Sequence, residues 1–282
     1  MKQIRKVHEA WEFYDEFILQ SLSKRSQTTE TGRWKNHISP IVGEKIINEL
    51  NIVDLLKLRK SLESKKLSPQ TVFHCLSLLR RILNRIVDYD HSVQIPKFRN
   101  VMPQFDNRRV RYLSRPEFDL LLNILKKKSK AWVDISLFAV NTGLRRGEIF
   151  NLGFENINKS DRKICILDSK THKNRVIPLN GTAFKIISDN KNRKTFTLSA
   201  PKIFEQAVKE SGLNDGIKDS RQKVVFHTLR HTFASWLVQG GIKLEVVSKL
   251  LGHSSLNMTM RYAHLAPSQA EAAVNLISQK LK

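Results

Sequence analysis

From about His8 to Tyr89 the apolar positions recur every three or four residues. Trp11, Tyr14, Phe17 and Ile18 form one group, Leu55, Leu56 and Leu58 another, and Val72, Leu76, Leu79, Ile82, Leu83 and Ile86 a third. That spacing matches one face of an α-helix, and nothing in the stretch alternates with the period of a strand. The third group opens with Ser68-Pro69, an N-cap residue followed by proline at the first helical position, and closes before the polar run Asp88 to Ser92. A small all-helical domain of about four helices is expected here.

The periodicity then breaks. Ile95-Pro96-Lys97-Phe98-Arg99 and Val101-Met102-Pro103 lead into Arg108, Arg109 and Arg111, a proline-punctuated basic stretch that reads as a linker at about residues 93–112. Ser114-Arg115-Pro116-Glu117 is a capping box that starts a new helix. Domains are therefore expected at 1–106 and 107–282. In the second, helices are expected over 114–128, 131–141 and 145–152. Two strands follow, Ile164 to Leu167 and Arg175 to Leu179, joined by the polar turn Ser169 to Asn174. Helices resume at 181–189, 200–211, 228–239, 243–251 and 268–280. The predicted fold is mainly α with a small β-sheet.

Charge narrows the partners. The chain carries 49 Lys and Arg against 26 Asp and Glu, a formal net charge of +23, of which +6 falls in residues 1–106 and +17 in 107–282. Two cationic domains joined by a cationic linker suit a polyanion, and could clasp a duplex from two sides; a wholly basic protein with no chemistry has the same balance. Cys75 and Cys165 are the only cysteines, so no disulfide framework is implied. With no apolar run near the roughly 18 residues of a membrane span, and no leader-like start at Met1 to Trp11, a cytoplasmic protein is expected.

Four short strings concentrate polar chemistry. In Asn141-Thr142-Gly143-Leu144-Arg145-Arg146-Gly147-Glu148, Gly143 can close one helix in the left-handed conformation. The next helix then begins at once and places Arg145 at an N-terminus suited to phosphate, although Arg146 offers the same chemistry. In His227-Thr228-Leu229-Arg230-His231, His227 and Arg230 share a helix face and His231 lies one turn from His227. Two histidines at that spacing can chelate zinc, but no third ligand accompanies them. Leu250-Leu251-Gly252-His253-Ser254 ends a helix and leaves His253 at an exposed corner. Met260-Arg261-Tyr262-Ala263-His264 follows, where a tyrosine is most often a packing residue.

Taken in order, these strings resemble the tyrosine recombinase, or phage integrase, family over roughly residues 110–265. Arg145 matches the arginine of the family's T-G-L-R string, with Glu148 at its usual acidic position. Lys170 matches the lysine of the β-hairpin turn, with Lys173 as a second candidate if the turn is shifted. His227 and Arg230 match the His-x-x-Arg pair, His253 the histidine of the L-G-H-S string, and Tyr262 the nucleophile. The resemblance implies a helical core-binding domain followed by a mixed α/β catalytic domain, and no separate arm-binding domain is read ahead of them. It also implies cleavage and rejoining of DNA through a 3′-phosphotyrosyl intermediate without ATP, metal or other cofactor. The implied partners are double-stranded DNA, a tetrameric synapse of the protein on DNA, and accessory DNA-bending proteins.

These residue types suit that reaction. Two guanidiniums, Arg145 and Arg230, can neutralise charge building on the non-bridging oxygens of a phosphodiester. Tyrosine must lose its proton to attack; His227 is the expected acceptor or relay, and the nearby guanidiniums are expected to favour the phenolate. Lys170 can protonate the departing 5′-oxygen, His253 can donate to a non-bridging oxygen, and Glu148 can orient Arg145 or a histidine. Two rivals remain. Phe233 to Leu251, a helix, a Gly240-Gly241 turn and a helix, is reminiscent of the helix-turn-helix of a DNA-binding regulator. A type IB topoisomerase shares the chemistry. The tail positions Ala270, Ala273, Val274, Ile277 and Leu281 form a helical stripe that can pack on its own domain or on a neighbouring protomer.

Overall fold

The computed structural model describes residues 4–106, 111–167, 174–189, 196 and 202–267. The chain divides into two compact units, Met1–Asn107 and Arg108–Lys282.

Unit 1 is helical, as its periodicity requires. Its helices are α1 (Val7–Phe17), α2 (Lys24–Arg33), α3 (Ser39–Val42), α4 (Ile52–Ser64) and α5 (Pro69–Tyr89). The predicted stripe of α5 faces inward: Val72, Leu76, Leu79, Ile82, Leu83 and Ile86 are all fully buried. Its start is fixed by Ser68, whose hydroxyl accepts the Thr71 amide, with proline at the first helical position. Trp11 stacks on Trp34 in the same core, their ring centroids 5.0 Å apart. Beneath them Tyr14 donates to Glu30, whose second oxygen takes Arg81 at 3.0 Å, so the buried carboxylate is fully partnered. Beyond α5, Val93, Phe98 and Val101 are buried in this same core, so the proline-punctuated chain lies on unit 1 at least as far as Val101.

Unit 2 holds α6 (Arg115–Lys128), α7 (Lys130–Thr142), α8 (Arg146–Phe150), α9 (Gly181–Asp189), α10 (Ile203–Glu210), α11 (Thr228–Gln239) and α12 (Leu244–Leu251). The capping box is present: Ser114 Oγ accepts the Glu117 amide at 3.3 Å, and the Glu117 carboxylate accepts the Ser114 amide at 2.8 Å. Three antiparallel strands, β1 (Ile157–Asn158), β2 (Lys163–Ile166) and β3 (Arg175–Pro178), form one sheet in the order β1-β2-β3. The short first strand has no alternation long enough to be read from sequence. In the β2–β3 ladder Ile164 faces Ile177 and Ile166 faces Arg175. Directly opposed residues share a sheet face, so Arg175 points the same way as the buried Ile164, Ile166 and Ile177.

The core of unit 2 centres on Trp132 and Phe138 of α7, with Leu121 and Leu125 of α6 and Leu229 of α11. Ala234, Val238, Val247 and Leu251 of α11 and α12 form a smaller cluster with Tyr262. The segment entering unit 2 is tied to α11 by Thr232, whose hydroxyl accepts the Leu113 amide at 2.9 Å and donates to the Thr228 carbonyl at 2.8 Å. Helices 200–211 and 243–251 appear at 203–210 and 244–251. The 268–280 helix and the hairpin turn at 168–173, with Lys170 and Lys173, lie outside the described residues.

Candidate active site

Local structure at α7 and α8 sets the first arginine. Gly143 closes α7 at φ +63°, and a Cβ there would sit 2.3 Å from the Phe233 ring, so both conformation and space call for glycine. Arg145 follows as the N-cap of α8. Its amide donates to Glu148 Oε2 at 2.7 Å, its Nη1 to Glu148 Oε1 at 2.9 Å, and its Nη2 reaches the Gly252 carbonyl at 3.4 Å. Arg146 lies instead over the Phe150 ring at 5.9 Å. Of the two candidate arginines, it is therefore Arg145 that meets the Gly252–His253 corner.

Arg230 comes to the same corner from α11. Its Nη1 donates to the Gly143 carbonyl at 2.7 Å and its Nη2 to the Leu251 carbonyl at 2.6 Å, which fixes a buried guanidinium plane. Burial, then the positive charge of Arg145, presses its pKa down to about 9, so it stays charged at neutral pH. His227, the N-cap of α11, is exposed. Beside His227 and Arg146 a cavity of about 440 Å³ opens between Trp132, Phe204 and Phe226.

Gly252 ends α12 at φ +64° and presents His253. This histidine is half-buried rather than exposed, because Thr259 folds over it and its hydroxyl meets Nδ1 at 2.7 Å. Burial, then the charges of Arg230 and Arg145, pushes its pKa down to about 4, so the ring is neutral at pH 7.

Tyr262 sits in a 3₁₀ turn, Met260–Leu265, and only 2% of it is exposed. The packing role usual for such a tyrosine is real, since its ring closes the cluster between α11 and α12. Its hydroxyl nevertheless has a polar partner, lying 2.5 Å from His231 Nδ1. The residue found against the phenol is thus His231, one turn beyond the His227 expected there. The guanidiniums do pull towards the phenolate as expected, but they do not set the balance. Burial pushes the Tyr262 pKa up to about 12, outweighing the opposing pull of Arg261 and Arg230.

Sequence reasoning missed a third guanidinium. Arg175, the first residue of β3, donates from Nη2 to Glu148 Oε2 at 2.6 Å, and its side chain is 10% exposed. It also packs against Gly252, where a Cβ would lie 2.7 Å from Arg175 Cδ. Burial works against the Glu148 charge, but bonds from Arg175 and Arg145 win and hold its carboxyl below the usual range. The available signal was its alternation with Ile177, which put an arginine on the inner face of a strand. Among the described residues no group of three or more His, Cys, Asp or Glu is placed to hold a metal ion. Among them, too, no helix is long and apolar enough to cross a membrane.

Unit 2 is mainly helical with a small sheet; it gathers Arg145 and Arg175 on the Glu148 carboxylate, with Arg230 fixed nearby, beside a histidine-bound tyrosine. The phage integrase family model matches residues 111–269, more than half of the chain, and the chain belongs to that family. It is 31% identical over 188 residues to the integrase of Salmonella phage P22, covering 59% of this chain and 47% of that protein. A tyrosine recombinase of Pseudothermotoga lettingae is 29% identical over 259 residues, covering 83% of this chain and 87% of that protein. The chain thus spans about half the length of the phage P22 relative and most of the bacterial one. Among solved structures, the Tn1549 transposon integrase in complex with a circular intermediate DNA aligns with a TM-score of 0.73 at 15% identity. That alignment covers 98% of this chain and 100% of the other. A lambda integrase dimer bound to a core site gives 0.71 at 16% identity, over 91% and 77%. At such identities these likenesses establish the fold.

Proposed function

We propose that this chain is a site-specific DNA recombinase that cleaves and rejoins strands through a 3′-phosphotyrosyl bond to Tyr262. The observation that carries the reading is the convergence of Arg145 and Arg230 on the adjoining carbonyls of Gly252 and Leu251, next to His253. Two guanidiniums from different helices, fixed before substrate arrives, are what a phosphoryl transition state needs on its non-bridging oxygens. His253, neutral with its Nδ1 at Thr259, has Nε2 to offer as a hydrogen-bond donor to the same group. His227 stands exposed at the start of α11, where it can approach the phosphate with Arg230.

In this reading the Tyr262 oxygen attacks phosphorus, the bond to the 5′-oxygen breaks, and Lys170 supplies the proton that the 5′-oxygen needs to leave. The phosphotyrosyl ester keeps the energy of the broken bond, so a second 5′-hydroxyl can reverse the step without ATP. Residues 1–106 are assigned to DNA core binding and 107–282 to catalysis, the two cationic units gripping one duplex. The lambda integrase relative has been solved as a tetramer bound to a Holliday junction. The same assembly on DNA is proposed here, in the cytoplasm, with accessory DNA-bending proteins where the sites require them.

The test is to incubate the protein with fragmented DNA of its host in EDTA and without ATP, recover covalent protein–DNA adducts, and sequence their ends. The expected product is a recurring sequence attached through its 3′-phosphate and facing a free 5′-hydroxyl. Attachment through 5′-phosphates, or the lack of any adduct, overturns the reading.

A further inference from the structure

We propose that His231 takes the proton from Tyr262 during strand cleavage, through the Nδ1 atom that the phenol already meets; the proposal rests on the recombinase reading above. Nδ1 lies 2.5 Å from the Tyr262 hydroxyl, and both residues are buried, at 6% and 2% exposure. Bulk water therefore has little access to remove the proton at that oxygen. The phenol needs a local acceptor, since burial has pushed its pKa up to about 12.

A further imidazole and two guanidiniums stand around the pair. His227 packs edge-on against His231, with centroids 4.9 Å apart and planes at 87°. His227 itself is exposed. Arg261, next to Tyr262, and Arg230, next to His231 on α11, favour the phenolate that forms. Among the described residues, the titratable groups of the elements packed on α11 are few. The titratable residues of α7, Lys130 and Asp134, lie in its first half, while Glu245 and Lys249 of α12 are exposed. The 3₁₀ turn itself contributes Arg261, Tyr262 and His264.

The step balances. The phenol O–H bond breaks with its proton passing to Nδ1, the tyrosyl oxygen bonds to phosphorus, and the bond from phosphorus to the 5′-oxygen breaks. The 5′-oxygen then takes a proton from the general acid. In rejoining, the 5′-hydroxyl oxygen bonds to phosphorus and gives its proton back to the general acid, the phosphotyrosyl bond breaks, and His231 returns its proton to the tyrosyl oxygen.

The probe is a nicked suicide duplex carrying the sequence recovered from the adducts. It is made once with the ordinary phosphodiester and once with sulfur in place of the bridging 5′-oxygen, because a thiolate leaves without being protonated. H231N keeps a hydrogen-bond acceptor near the phenol but has no basicity; H231A removes both. Both variants should bind the duplex with unchanged affinity in a gel shift and cleave both substrates about 100-fold or more slowly. On the sulfur substrate, the wild-type rate should follow the ionisation of one histidine-like group, whereas H231N should climb with pH without that inflection. Wild-type rates in H231N, or recovery of H231A on the sulfur substrate, overturn the assignment. If the wild-type protein forms no adduct on either duplex, the recombinase reading itself fails and carries this assignment with it.

Discussion

Arg175 donates from Nη2 to Glu148 Oε2 at 2.6 Å, and the same oxygen accepts the Arg145 amide at 2.7 Å. One carboxylate thus joins β3 to the start of α8 and sets the plane of Arg145. Removing its charge leaves two guanidiniums facing each other with Arg230 nearby. E148Q is expected to lower the unfolding free energy of unit 2 by roughly 3 kcal/mol, as for one partner removed from a buried ion pair. A urea titration measures this, and an unchanged midpoint would show that Glu148 does not hold the arginines together.

Gly252 is constrained twice, by φ +64° and by Arg175, whose Cδ would lie 2.7 Å from a Cβ. Its carbonyl also receives Arg145, and His253 follows it. G252A is expected to cost about 1–3 kcal/mol of stability from backbone strain alone. It should also depress strand cleavage more than DNA binding, because it displaces the corner where both arginines meet. Parallel gel-shift and cleavage assays separate the two effects.

Thr232 ties the entry segment of unit 2 to α11 through the Leu113 amide. T232V keeps the shape but leaves that buried amide without an acceptor, at a cost of about 1–3 kcal/mol. Hydrogen exchange at Leu113 should accelerate in the variant; protection equal to wild type would mean that the tie contributes nothing.

Much of this was legible in the sequence because it is local. The stripe of α5, the Ser114–Glu117 capping box and the left-handed Gly143 each depend on residues a few positions apart, where spacing and side-chain type carry the signal. The strings holding Arg145, Arg230, His253 and Tyr262 were likewise readable as strings. Their partners were not. Arg175 is 27 residues from Glu148 and His231 is 31 residues from Tyr262, and such pairings exist only once β3 and the 3₁₀ turn are packed. Burial of Tyr262, which outweighs the expected pull of the guanidiniums on its ionisation, is equally a property of the packed α11–α12 cluster.

Acid should weaken unit 2 in a defined window. His253 has its folded pKa lowered from 6.5 to about 4, so the unfolded chain binds its proton first as pH falls. Its contribution to stability is complete above about pH 6.5 and is lost progressively down to about pH 4. Glu148, whose folded pKa is also lowered, keeps its contribution above the ordinary carboxylate range and loses it only as pH falls through its own depressed value. Thermal unfolding from pH 7.5 to 4 should therefore show a falling Tm whose upper part flattens in H253N. An equally steep fall in H253N would contradict the assigned cause.

The central claim is that Tyr262 is the residue that becomes bonded to DNA. The most direct measurement is protease digestion of the purified covalent adduct, followed by mass spectrometry of the nucleotide-bearing peptide, with Y262F run alongside. The account predicts a 3′-nucleotide on Tyr262 and, for Y262F, retained DNA binding with no adduct at all. A nucleotide found on any other residue, or an adduct trapped by Y262F, would contradict it.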